Sequence, residues 1–393
     1  VNINWQIAQQ EFELHRYPKG QHDKSLQAWD SADELAIHHL VEQAPSLNSI
    51  TIMNDSFGAI SIASHSLFPN ASINYINDSY ISEQALKQNL NVNNLGTSFT
   101  NHGVLLNSLS DVPSCDLVII KLTKNLGLLQ FQLEQISKLK QACRVVASGK
   151  TIQVTNSVLK LFERYLNNVS TSLAKKKSRL ILAEFKPTDS NQAPSPFPVS
   201  VEWADKGISL KAYANVFSKD QIDIGGRFLA EHLPRFEADQ TVIDLGCGNG
   251  LLGLCALKAS QDSNTAIKMT FIDESFMAVK SAELNVAEQF PDLLSQCSFL
   301  QDDCLSQQAN NSADVIVCNP PFHQQNAITE HIAKQMFKDS SRVLKSGGVL
   351  YVVANRHLPY PNQLKKLFGR FKVYAQNKKF VIYRCLNTTI KNN

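Results

Sequence analysis

The chain has 393 residues, 43% of them hydrophobic and 19% charged, enough to bury two cores and too little charge for a disordered chain. No apolar run reaches the length of a membrane span, and the opening VNINWQIAQQEFELHRY has no basic-then-apolar leader, so the expectation is a cytoplasmic protein with no membrane partner. The net charge of +3 is uneven: from Ser340 onward there are eleven Lys/Arg and no Asp or Glu, which leaves 27 basic against 35 acidic residues before it. A basic end on an acidic body is a footprint for phosphates, with ordinary solvated lysines as the alternative.

In chain order, the first half opens an α/β pattern with an apolar run at Ile50–Asp55 ahead of Gly58. Asn77-Asp78-Ser79 then precedes a helical run, and strands follow at Asp116–Ile120, Arg144–Ala147 and the basic-led Lys175-Lys-Lys-Ser-Arg-Leu-Ile-Leu182. Pro187, Pro194, Pro196 and Pro198 then mark a linker over 187–199, because such a run holds neither helix nor ladder. It divides the chain into domains at 1–190 and 200–393.

The second half predicts strands at Thr241–Leu245, Lys268–Asp273, Cys297–Gln301, Asp314–Cys318 and Val349–Ala354. Helices are predicted at Leu251–Ser260, Ser275–Glu288, Ala327–Leu344 and Asn362–Phe368. Strand and crossover helix alternate as in a parallel sheet. The last two strands, Phe371–Ala375 and Lys379–Cys385, lie too close for a crossover and must form an antiparallel hairpin. The halves repeat in outline at offsets near 190 to 205 residues, with Asp78 standing for Asp273 and Asp116-Leu-Val-Ile-Ile120 for Asp314-Val-Ile-Val-Cys318. This favours a duplicated domain over chance similarity. The eight cysteines contain no Cys-x-x-Cys pair and read as buried thiols, so no metal site is expected.

The chemistry concentrates in the second half. Asp244 ends a strand and is followed by alternating Gly246, Gly248 and Gly250, with Asn249 between them, before a helix opens at Leu251. Glycine lets backbone approach a ligand closely, and helix N–H groups then face it. The loop by itself serves S-adenosylmethionine or a dinucleotide, since Gly248, Gly250 and Gly253 also fit Gly-x-Gly-x-x-Gly. Asp273 ends the second strand, where a carboxylate can accept both ribose hydroxyls; helix capping is its alternative role. Asp302 and Asp303 follow the third strand, and one of them, preferably Asp303, can accept an adenine amino group.

Asn319-Pro320-Pro321-Phe322 directly follows the strand ending at Cys318 and decides between the cofactors. Open α/β sheets bind ligands at that edge. A conjugated amine is a poor nucleophile because its lone pair is delocalised. The Asn319 side-chain oxygen and the Pro320 carbonyl can accept its two hydrogens and turn the lone pair toward a sulfonium methyl, while Phe322 stacks on the base. Asn319 thus borders the cofactor as well as the substrate. Hydride transfer has no use for this tetrad. His323 is a substrate contact or a polar loop residue, and Val216–Asp220 with Asp223 and Gly225 is a cofactor lid or an ordinary entry helix. The physics leaves guanine, adenine N6 or a protein glutamine amide as targets, and an inactive RNA-binding assembly factor as a rival of another class.

These residues, with Val352-Val-Ala-Asn-Arg-His-Leu-Pro-Tyr360 and Phe217-Ser218, resemble bacterial ribosomal RNA guanine-N2 methyltransferases over nearly the whole chain. Asn319-Pro-Pro-Phe-His-Gln-Gln325, Ala354-Asn-Arg-His-Leu358 and Asn377-Lys-Lys-Phe380 look most like the large-subunit (23S) enzymes, with the 16S enzymes as near relatives. The resemblance implies two tandem Rossmann-like domains, each a mostly parallel seven-stranded sheet ending in an antiparallel hairpin. It implies a degenerate first domain, S-adenosylmethionine as cofactor and an unpaired guanine of ribosomal RNA as target. In place of the glycine loop and tetrad the first half has Asn54-Asp-Ser-Phe-Gly58 and Lys121-Leu-Thr-Lys124, and is expected to be non-catalytic. The candidate phosphate contacts are Lys175, Lys176, Lys177, Arg179, Arg356, Lys365, Lys366, Arg370, Lys378 and Lys379. Protein partners are unspecified.

Overall fold

The computed structural model describes residues 2–18, 26–43, 46–187, 194–321 and 327–388. It divides into two compact units, Val1–Ser195 and Pro196–Asn393. No helix among the described residues is long and apolar enough to cross a membrane.

The first unit is built on a seven-stranded sheet. In spatial order the strands are Gly103–Asn107, Ser72–Asn77, Ser49–Met53, Leu117–Lys121, Cys143–Lys150, Ser178–Phe185 and Asn167–Thr171. The first five are parallel and the last two close it antiparallel. The order starts at Ser49–Met53 and runs out in both directions, which places a topological switch point at the carboxyl ends of that strand and of Leu117–Lys121. The central strands are apolar on both faces, as a sheet covered by helices requires: Ile50, Ile52, Leu117, Val118, Ile119 and Ile120 are all buried.

The second unit repeats this order strand for strand: Cys297–Gln301, Lys268–Asp273, Thr241–Leu245, Ala313–Cys318, Leu344–Asn355, Phe380–Leu386 and Phe371–Gln376. Its first five strands are likewise parallel and its last two antiparallel. The α-helices among its described residues lie at Ile224–Ala230, Leu251–Asp262, Phe276–Gln289, Ala327–Val343 and Tyr360–Phe368. The chain therefore has the α/β fold of two tandem Rossmann-like domains, each with a seven-stranded mixed sheet and a terminal hairpin.

Two features depart from the sequence reading. Each sheet is preceded by a small separate hairpin, Asn4–Ile7 with Gln10–Glu13 and Val199–Trp203 with Ile208–Ala212. The second of these begins on the last residue of the expected linker. The match of Asp78 to Asp273 is also off by one. Both Asn77 and Asp273 are the last residues of their strands. Both offer a side-chain oxygen to the backbone N–H two residues on, and the helices that follow are capped by Ser79 and Ser275. Asn77 is thus the true counterpart of Asp273. Asp273 is not the helix cap that its position had suggested.

Candidate active site

The glycine loop is tied to its neighbours by backbone and side chain. Gly246 and Cys247 donate their N–H groups to the Ile272 carbonyl at 2.8 and 3.0 Å, and Gly250 donates to Cys247 at 2.8 Å. Gly250 sits at φ +86° with Ala282 against it, and this turn fits no larger residue. Gly248, at φ +54°, faces open space: a Cβ there would meet nothing within 4 Å. Gly253 packs the helix so closely on its strand that a Cβ would collide with the Phe271 ring. The Asn249 carbonyl accepts from the fully buried Asn285, whose amide also clasps both backbone groups of Lys211 in the small hairpin.

The acids divide by how their oxygens are used. Asp273 accepts from Gly248 N–H at 2.9 Å and Ser275 N–H at 3.0 Å, joining the loop to the second strand. Asp302 is buried and spent on its own turn, accepting from the Ser306 hydroxyl and the Gln307 N–H. Asp303 is half-buried, and burial pushes its carboxyl upward. Asp244 is buried beneath the loop. One of its oxygens accepts from Gly253 N–H at 2.9 Å and the other has no partner. Burial is the main cause that raises this carboxyl to about 7; the Gly253 N–H opposes the rise and Asp273 adds to it.

Asn319 stands at the carboxyl end of the strand ending at Cys318, which pairs with Thr241–Leu245. Its neighbour Pro320 is buried and Pro321 exposed. The Asn319 Nδ2 donates to Asp223 Oδ2 at 2.9 Å, and its Oδ1 is a buried acceptor with no partner among the described residues. Asp223 Oδ2 also accepts from Gly226 N–H at 2.6 Å and so caps the helix Ile224–Ala230. A buried acceptor left open costs about 1–3 kcal/mol. Such an atom at a sheet's binding edge is a place for a ligand hydrogen. Phe322 and His323 lie outside the described residues. In the sequence Asp223 belongs only to a segment that is a lid or an entry helix, and the structure places it as the cap of that helix. The local signal for its capping role is an Asp three residues before a buried glycine; nothing local signals its bond to Asn319.

The same edge of the first domain is filled differently. Lys121 takes the position of Asn319, one residue beyond the strand pair Met53 and Ile120. Its ammonium bonds Asp30 at 2.9 Å and Asp33 more closely still. Burial alone would lower the Lys121 ammonium; the two carboxylates outweigh it and hold it protonated. Burial raises the Asp33 carboxyl, and raises Asp55, beneath the neighbouring loop, to about 6. Asn54 adopts φ +63° where Gly246 has +73°.

The basic candidates fall into three groups. Arg356, Lys378 and Lys379 are exposed and adjacent, with Arg356 bonded to the backbone of Lys379 and Asn377. They cap the carboxyl end of Leu344–Asn355, the same sheet edge as Asn319. Lys365 and Lys366 end a helix that returns from this edge, and Arg370 precedes a strand that starts opposite Cys385, away from it. In the first domain Lys175, Lys176 and Lys177 are exposed at the carboxyl end of Cys143–Lys150, where Lys176 pairs with Glu34; Arg179 is half-buried. Arg342 and Lys345 from the basic end are engaged by Asp339 and Asp314. All eight cysteines are free thiols, six of them buried.

Comparison with known proteins agrees with this division. The family model of the RLMG N-terminal domain matches residues 2–187, and that of the methyltransferase small domain matches residues 207–384. A solved T. thermophilus 16S rRNA N2 methyltransferase in complex with AdoMet and guanosine is similar in fold, with a TM-score of 0.73 at 18% identity over 98% of this chain and 97% of that one. The ribosomal RNA large subunit methyltransferase G of Pseudoalteromonas translucida is 44% identical, covering 99% of each chain. That of Aeromonas salmonicida is 45% identical over 95% of this chain and 96% of the relative. This chain belongs to the ribosomal RNA large subunit methyltransferase G family.

Proposed function

We propose that the protein transfers a methyl group from S-adenosylmethionine to the exocyclic N2 of an unpaired guanine in large-subunit (23S) ribosomal RNA. The observation that carries the reading is the unpartnered, buried Asn319 Oδ1 at the sheet's binding edge, beside a glycine loop with open space at Gly248. An amide oxygen there accepts an N–H of the guanine amine, and the Pro320 carbonyl is assigned the second hydrogen. Localising both hydrogens turns the nitrogen lone pair out of conjugation, and the rest is positioning and electrostatics. Phe322 is assigned to the base.

The residues present fit the cofactor. Gly248 leaves room for it, Asp273 offers carboxylate oxygens at the end of the second strand, and Asp303 keeps the solvent access that Asp302 lacks. The free oxygen of Asp244 lies under the same loop as an open polar atom. When bound, S-adenosylmethionine supplies the electrophilic methyl; the protein orients the amine. The names of the relatives support ribosomal RNA as the substrate, and the cytoplasm is the compartment this substrate implies. Arg356, Lys378 and Lys379 are the phosphate contacts best placed for the reaction. Lys175, Lys176 and Lys177 give the first domain an RNA-holding role, and with Lys121 at the position of Asn319 that domain is non-catalytic.

The test is incubation with labelled S-adenosylmethionine and ribosomal RNA lacking the modification, followed by mapping of the methylated base. N2-methylguanine in 23S RNA is expected. Label only in protein, or only in 16S RNA, would overturn the assignment.

A further inference from the structure

An asparagine amide has two ends of nearly equal size, and the reaction proposed above needs the oxygen end toward the substrate. Asp223 settles the choice. A carboxylate has no hydrogen to give, so only the NH2 of Asn319 can lie against it. The reversed amide would set oxygen against oxygen at the observed 2.9 Å and leave a donor where the acceptor is needed. The carboxylate is itself fixed, because the same Oδ2 takes the Gly226 N–H at 2.6 Å. Gly226 has no side chain to intrude: a Cβ there would lie 3.3 Å from both Asn319 Nδ2 and Asp223 Oδ2.

The first domain holds the same contact with different chemistry. Asp30 accepts from the N–H of Ala32 at the start of the helix Ser31–Gln43 and from the Lys121 ammonium at 2.9 Å. An aspartate at a helix start that grips the residue one beyond the last pair of the two central strands is thus built into both copies. In the first the gripped residue has no acceptor to present; in the second it does.

We infer that Asp223 is a positioning residue for methyl transfer, which fixes the Asn319 amide with its oxygen toward the amine and, through a charge-assisted bond to Nδ2, strengthens that oxygen as an acceptor. This rests on the methyl-transfer reading, and its test separates the two. Asp223→Ser keeps a helix cap but is too short to reach Asn319. It is expected to lower kcat by about 10²-fold, the scale of a misplaced reacting group, with cofactor affinity and RNA KM within a few-fold. Asp223→Asn, whose oxygen can still accept both bonds, should recover most of that loss. In an Asn319→Ala background, Asp223→Ser should cost nothing further, because two residues acting as one unit are not additive. Parallel loss of kcat and cofactor affinity, a full additional loss in the double variant, or no recovery with Asp223→Asn would overturn the inference.

A second measurement needs no substrate. Solvent exchange of the Asn319 side-chain amide hydrogens should be at least about tenfold faster in Asp223→Ser than in wild type, as expected when a protected hydrogen bond opens. Equal exchange rates would refute the contact. If wild-type protein methylated no RNA, the functional reading would fail while this result still decided whether Asp223 holds the amide.

Discussion

The two domains share a polar frame and differ in what the frame presents. In the first, fully buried Asn89 donates to the Phe57 and His15 carbonyls and accepts the His15 N–H. In the second, Asn285 does the same for Asn249 and Lys211. Gly58 and Gly250 turn at φ +82° and +86°. Ser79 and Ser275 cap corresponding helices. Around this common frame, Asn77 replaces Asp273 and Lys121 replaces Asn319. The turn glycines, the buried asparagine and the capping serine are therefore kept in both copies, while two positions proposed to face a ligand differ. On the proposed reading, backbone similarity alone would not tell an active copy from an inactive one.

The comparison can be broken at the paired positions. The largest effect is expected from Lys121→Ala, which leaves buried Asp33 without its cation: a loss of about 3–5 kcal/mol in the first domain's unfolding free energy, measured by denaturant titration. A loss below about 1 kcal/mol would mean the ion cluster does not hold that domain's edge together. Asn319→Ala, at the equivalent place, should instead spare stability and lower kcat by about 10²–10³-fold, with cofactor affinity within a few-fold by calorimetry. Equal loss of affinity would assign Asn319 to cofactor binding.

The buried acids give a subtler contrast. Asp55 and Asp244 have carboxyls raised by burial to about 6 and about 7. Between the unfolded value near 3.8 and the raised folded value, the folded form holds a proton that the unfolded form has lost. Stability therefore falls as pH rises, by about 1.4 kcal/mol per unit for each group, and levels off above its folded value. The contribution of Asp55 should level off near pH 6 and that of Asp244 near pH 7. Asp55→Asn and Asp244→Asn should each reduce its own domain's slope; an unchanged slope assigns it to other groups, Asp33 and Asp303 among them. The smallest effect separates the basic residues: the triple Arg356→Ala, Lys378→Ala, Lys379→Ala should reduce the salt dependence of RNA binding by up to about 2 in log–log slope. Lys365→Ala, Lys366→Ala, Arg370→Ala should change it little, and the reverse result would move the RNA path off the Asn319 edge.

Much of this was legible in the sequence because parallel strands announce themselves. Apolar runs such as Val315–Cys318, buried on both faces, alternate with helices, and the short gap between Ala375 and Lys379 admits only a hairpin. The glycine loop was legible for a related reason, since its positive-φ turns need particular residues. The small hairpins were not: Asn4–Ile7 and Ile208–Ala212 do alternate buried with more exposed residues, but four or five residues are too few for that alternation to stand out. Polar pairings across the chain were also hidden. Nothing near Asn285 marks it as the clasp for Lys211, and Asp223 lies 96 residues from Asn319. Nor does the doublet Asp302-Asp303 reveal which acid has already given its oxygens to Ser306 and Gln307.

Lys121 behaves as a tethered ligand. It occupies its own domain's edge at an effective concentration no free molecule could match, so that edge stays occupied whatever the metabolic state of the cell. Among the described residues the second domain has no such resident, and its stability should rise with its cofactor by about 2.7 kcal/mol at a hundredfold excess over Kd. Cofactor depletion should thus soften one half of the chain and leave the other as firm as before.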